Sequence, residues 1–66
     1  MTLVFAHVVP KENASLAILE AGLRNAGFDQ RRYIEGRYEG TIEDNQMNNL
    51  LAVTGVDSVK AIREIQ

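Results

Sequence analysis

The run Leu3-Val4-Phe5-Ala6-His7-Val8-Val9, stopped by Pro10, restricts the folds open to this chain more than any other segment. It is short and rich in β-branched and aromatic residues, and Pro10 has no amide proton to extend a ladder, so the run reads as a strand. Side chains alternate across a strand. Leu3, Phe5, His7 and Val9 therefore point one way, and Val4, Ala6 and Val8 the other. Both rows are largely apolar, whereas a strand covered on one face alternates more cleanly between apolar and polar. Either this strand is central and covered on both sides, or one of its faces awaits a partner.

Size sharpens that choice. The chain has 66 residues, enough for one domain spanning residues 1–66. A domain of that length buries only about 60% of the surface its unfolded chain exposes, which leaves little apolar material to spare. It contains no Cys, which removes disulfide staples, thiolate metal sites and thiol nucleophiles together. A formal net charge of −2 disfavours non-specific nucleic-acid and anionic-membrane binding. The apolar N-terminus lacks a basic leader region and a cleavage pattern, and no run approaches the roughly 20 apolar residues of a membrane span. The expectation is a cytoplasmic protein.

Asn13 or Ser15 can cap a helix. From Ala14 to Ala26, Leu16, Leu19, Leu23 and Ala26 fall on one stripe. Gly27 is placed to stop this helix, and Gly22 within it suggests close packing on a sheet. Arg31 to Ile42 reads as two strands with a turn near Glu35-Gly36. Tyr38, Gly40 and Ile42 share one face of the second, and Arg37, Glu39 and Thr41 the other. Glu43-Asp44-Asn45 offers an acidic start for a second helix with Met47, Leu50 and Leu51 as its stripe, ending at Thr54-Gly55. Val56, Val59, Ile62 and Ile65 recur every third residue, which suits neither a strand nor an ideal helix. A strand over Ser58 to Ile62 followed by an irregular tail is the expectation, with a short helix capped by Asp57 or Ser58 as the alternative.

The order βαββαβ predicts an α+β fold of the ferredoxin-like kind, a four-stranded antiparallel sheet with two helices on one face. The other face is then left as a candidate interaction surface carrying Phe5 and His7.

Little in the chain points to chemistry. His7 is the single histidine, and a lone His in an apolar strand reads as a hydrogen-bonded structural residue. No spacing sets it beside Ser15 or Ser58 with an orienting acid. No catalytic residue, metal ligand or cofactor site is assigned. Gly36 and Gly40 flank Arg37-Tyr38-Glu39 without matching a phosphate loop. Arg31-Arg32-Tyr33 and Arg37-Tyr38 interleave cations and aromatics in the manner of single-strand nucleic-acid platforms, but Glu35, Glu39 and Glu43 make that patch electrostatically mixed.

Several segments resemble the subtilisin-propeptide-like inhibitor family, known as the I9 family. Leu3-Val4-Phe5 followed by Pro10 to Ser15 is similar to its first strand and helix start, and Leu16 to Gly27 to its first helix. Tyr38 to Asp44 resembles its third strand running into the second helix. Leu50 to Lys60, with Thr54-Gly55-Val56-Asp57-Ser58-Val59, resembles its helix–Gly-Val-x-x-Val–strand ending. The Gly-aromatic pair of that family is separated here as Gly36-Arg37-Tyr38, Thr54 stands where a Pro often precedes the Gly, and Lys60 replaces a commonly acidic residue.

The resemblance implies an inhibitor or intramolecular-chaperone-like module for a subtilisin-like serine protease. The open sheet face would dock on the enzyme. The tail Arg63-Glu64-Ile65-Gln66, with Ile62 at its base, would lie extended in the active-site cleft. The alternative is a regulatory or structural module that self-associates through the same face as a homodimer.

Overall fold

A computed structural model describes residues 2–65. The elements run β1 (Leu3–Pro10), α1 (Leu16–Asn25), β2 (Asp29–Ile34), β3 (Arg37–Glu43), a single 3-10 turn (Asp44–Gln46), α2 (Met47–Leu51) and β4 (Val56–Glu64). The strands form one antiparallel sheet in the order β2-β3-β1-β4. β1 is thus central, hydrogen-bonded on both sides, and the fold class is α+β.

Its two rows separate cleanly. Val4, Ala6 and Val8 are buried and lie opposite Ile42, Gly40 and Tyr38 of β3. Leu19 and Leu23 of α1 and Leu50 of α2 enter this same core, with Phe28 and Val56 closing it. Leu3, Phe5, His7 and Val9 face the other way, where no element among the described residues covers them.

The local chemistry explains the element ends. Ser15 occupies the N-cap of α1 without a side-chain cap bond, and the helix is shorter than the Ala14–Ala26 expectation. At its far end Gly27 has φ 96°. The Gly27 amide donates to the Arg24 carbonyl and the Phe28 amide to the Leu23 carbonyl, the paired bonds of a Schellman stop. This turn throws Phe28 back over the sheet at Gly40. A Cβ on Gly40 would collide with the Asp29 carbonyl oxygen and come within 2.8 Å of the Phe28 ring. Gly22 meets Val53 beside α2 rather than the sheet, its Cβ position lying 2.7 Å from Val53 Cγ1. The second helix is a brief turn in which Leu50 alone is buried, while Leu51 is exposed.

β2 and β3 join through Glu35-Gly36, both in the left-handed region with φ 53° and 79°. That is the geometry of a two-residue hairpin whose twist matches its strands. It sets the register Ile34↔Arg37, Tyr33↔Tyr38, Arg32↔Glu39.

The expected short strand Ser58–Ile62 with an irregular tail is corrected. β4 runs from Val56 to Glu64, and the alternative helix does not form. The three-residue spacing of Val56 and Val59 has a physical cause. Pairing steps from Pro10↔Val56 to Val9↔Ser58, and from Ala6↔Ala61 to Phe5↔Arg63. Asp57 and Ile62 are therefore extra residues at bulges, and the bulge at Asp57 puts Val56 and Val59 on the same helix-side row although they are three residues apart. Arg31 is the corresponding extra residue of β2, between Gln30↔Gly40 and Arg32↔Glu39.

Two stability outcomes follow. Gly40→Ala forces an overpacked contact against backbone and should cost on the order of 2 kcal/mol, read as a fall in melting temperature of roughly 10 °C. Glu35→Asn relieves a left-handed Glu and should raise stability by about 0.5–1 kcal/mol. Circular-dichroism melts of the two variants check both signs.

Candidate functional site: the uncovered sheet face

Residues of all four strands meet on the face opposite the helices. β1 supplies Leu3, Phe5, His7 and Val9 along the middle. β3 brings Glu39 opposite His7 and Thr41 opposite Phe5. β4 places Lys60 beside His7 and Arg63 beside Phe5. From the edge, β2 contributes Arg32 beside Glu39.

Glu39 is the organising charge. Its side chain is 3% exposed although it lies on the uncovered face. Other side chains, rather than depth of protein, exclude water from it. Arg32 Nε donates to Oε1 at 2.5 Å, and Arg37 Nε donates to Oε2 at 2.9 Å, with Arg37 Nη2 2.8 Å from the same oxygen. His7 Nε2 stands 3.4 Å from Oε2. Charge-assisted, forked bonds of this kind hold a carboxylate in one geometry. The Arg32 hydrogen bond holds the Glu39 carboxyl below the ordinary carboxylate range, against the opposing effect of burial, with the Arg32 charge and then Arg37 adding to the lowering. Glu39 is therefore an ionised acceptor with its lone pairs engaged, a structural pivot rather than a proton-transfer group.

The aromatic residues are laid out around it. Phe5 and His7 meet edge to face with ring centroids 5.6 Å apart. The Arg63 guanidinium lies 5.1 Å from the Phe5 centroid, over the ring. The other aromatics lie elsewhere. Tyr33 packs on Tyr38 at 4.6 Å on the helix side, where the Tyr38 hydroxyl donates to Glu20 Oε2 at 2.8 Å. Burial first, and then this bond to Glu20, pushes the Tyr38 phenol up and keeps it protonated. The interleaved Arg32-Tyr33 and Arg37-Tyr38 pairs are thus split between opposite faces and form no shared stacking platform.

Of the residues predicted from sequence, Phe5, His7 and Arg63 come together on this face. Ile62 is the bulged residue next to them. Glu64 pairs with Val4, on the helix-side row, and the Ile65 amide donates to the Leu3 carbonyl at 2.9 Å. Gln66 lies outside the described residues. Sequence reasoning missed Arg32, Arg37 and Glu39 as a unit. The signal was present in the Glu35-Gly36 turn, because a two-residue hairpin sets Arg32 opposite Glu39. Among the described residues no three His, Asp or Glu side chains converge as a metal site, and no helix is long and apolar enough to cross a membrane.

No known family model, curated protein or solved structure matches the chain.

The depressed carboxyl of Glu39 has a pH consequence. Its unfolded value is near 4.5 and its folded value is lower. The stability it contributes is present above about 4.5 and is lost as pH falls through the folded value. Urea unfolding followed from neutral to acid pH should show a steep acid-side loss that is shallower in Glu39→Gln. Equal acid slopes for the two proteins would rule out that role.

Proposed function

We propose that the chain is a non-catalytic binding module of the ferredoxin-like βαββαβ type. It docks a protein partner on the uncovered sheet face, as an inhibitor or intramolecular-chaperone-like module for a subtilisin-like serine protease. One observation carries the docking reading. The odd row of β1 sits in the middle of the sheet, yet Leu3 and Val9 are 40% and 37% exposed. A chain this short commits apolar side chains to a central strand at a cost in solubility, and an apolar surface of that kind marks an interaction site. The protease as partner is supported by the resemblance of Leu3–Phe5, Leu16–Gly27, Tyr38–Asp44 and Leu50–Lys60 to the I9 family.

The geometry also alters how the terminal segment would act. Arg63 and Glu64 are held in register with Phe5 and Val4. A cleft-bound tail would have to leave the sheet or begin beyond Glu64. Docking through the face needs no such rearrangement, so the face is the primary contact in this reading.

Inhibition of a panel of subtilisins by the intact chain tests it. The expected outcome is inhibition that weakens tenfold or more in Leu3→Ala/Phe5→Ala, as for loss of a central anchor pair, with the folded state confirmed by circular dichroism. Absence of inhibition across the panel would remove the protease as partner. Sedimentation analysis of the same protein decides the alternative: a dimer whose interface includes the β1 row would make the partner a second copy.

A further inference from the structure

We infer that the cleft between α1 and the edge strand β2 is a binding site for a small zwitterion of the α-amino-acid class, with Arg24 taking its carboxylate and Glu20 its ammonium group. The site lies on the helix side of the sheet and is independent of the docking reading above.

The cleft exists because the helix layer stops short of the sheet's edge. All six residues of β2 are exposed, although Gln30 and Tyr33 stand opposite Gly40 and Tyr38 on the helix-side row. The Schellman turn at Gly27 leads the chain directly from one wall of the cleft to the other. The space between them is about 390 Å³, lined by Glu20, Leu23 and Arg24 of α1 and by Phe28, Asp29 and Gln30 beyond the turn. Volumes of that order hold small molecules. Leu23 and Phe28 are buried, and the missing side chain at Gly40 is what admits the Phe28 ring. A ligand therefore meets mainly the polar groups.

The two charges on the α1 wall are kept apart. Glu20 precedes Arg24 by four residues, the spacing and order in which a helix pairs acid with base. That pair does not form. The Tyr38 hydroxyl donates to Glu20 Oε2 at 2.8 Å and holds the carboxylate against β3. Among the described residues no carboxylate oxygen lies within 4.0 Å of an Arg24 nitrogen. Asp29 is already engaged, 3.1 Å from Arg31. The cleft thus keeps one open guanidinium. Beside it stands one carboxylate whose Oε1 accepts from no described side chain.

Opposite charges on one wall select the ligand. A plain carboxylate would pair with Arg24 and be repelled by Glu20; a plain amine would meet the reverse. A molecule carrying both charges on one carbon satisfies both groups. The guanidinium holds its carboxylate through paired N–H donors, and Glu20 Oε1 accepts from its ammonium. The Gln30 amide can donate or accept at the opposite wall. With so few atoms in contact, a dissociation constant on the order of 1 mM is expected.

The test records amide spectra of the intact, isotope-labelled chain near neutral pH against three probes of similar size. These are L-alanine, propionate (which lacks the ammonium) and ethylamine (which lacks the carboxylate). L-alanine should perturb amides between Glu20 and Gln30, with both single-charge probes tenfold weaker or more. Arg24→Gln and Glu20→Gln should each weaken L-alanine binding by at least tenfold. The amide oxygen of Glu20→Gln still accepts the Tyr38 hydroxyl, and the remaining amides report whether each variant is folded. Absence of any shift in this segment up to about 20 mM L-alanine would overturn the site. Propionate or ethylamine binding as tightly as L-alanine would overturn the zwitterion assignment, as would a shift that survives both substitutions. Subtilisin inhibition is measured without these probes, so the docking reading stands or falls separately.

Discussion

The structure depends on the backbone pairing of β1. Both edges of this strand are occupied, by β3 and by β4, and neither neighbour pairs with the other. Ala6 and Val8 of β1 share one apolar cluster with Leu19, Leu23, Tyr38, Ile42 and Leu50, which come from α1, β3 and α2. For a chain of 66 residues this is an economical arrangement: one eight-residue strand organises the whole sheet. It also couples the two faces, since the strand that anchors the core carries the exposed row of Leu3, Phe5, His7 and Val9 on its other side.

The uncovered face shows how a sheet can leave apolar side chains in water and still hold a fixed shape. Glu39 lies near its centre, and three side chains from three strands converge on it. A carboxylate with so many donors costs less to shield than an unpaired one, because its hydrogen bonds are replaced rather than lost. The result is a polar knot that ties β1, β2 and β3 together on the side where no helix packs. The same knot orients Arg32 and Arg37, so the face is preorganised before any partner arrives. Preorganisation of this kind reduces the ordering a bound complex must otherwise impose.

Much of this was legible in the chain. The alternation in Leu3–Val9, the stripe of Leu19 and Leu23, the Gly27 stop and the parity of Arg37 to Ile42 all report local rules that tertiary structure leaves intact. The Glu35-Gly36 turn carried more information than its composition suggests, because a two-residue turn also sets which side chains face one another. What escaped was non-local. The length of β4 was hidden because bulges at Asp57 and Ile62 broke its period, and a bulge is decided by the partner strand rather than by the strand's own residues. Gly22 is explained by Val53, thirty-one positions away, a pairing no periodicity encodes. Glu20 lies four residues before Arg24 on α1, yet its carboxylate accepts the Tyr38 hydroxyl, a choice made only when helix and sheet meet.

The bulges bear on one more property. β1 and β3 pair without any register shift, and all three irregularities fall on the outer strands, at Arg31 of β2 and at Asp57 and Ile62 of β4. A regular outer strand is a template on which a further chain can crystallise residue by residue, and an extra residue spoils that repeat by twisting the strand and misaligning its donors and acceptors. Both margins of the sheet are interrupted in this way, and one interruption is occupied by a charged arginine. Lateral growth into ribbons or fibrils is therefore obstructed at both sides. The molecule can keep an apolar surface in water because that surface opens in one direction only, perpendicular to the sheet.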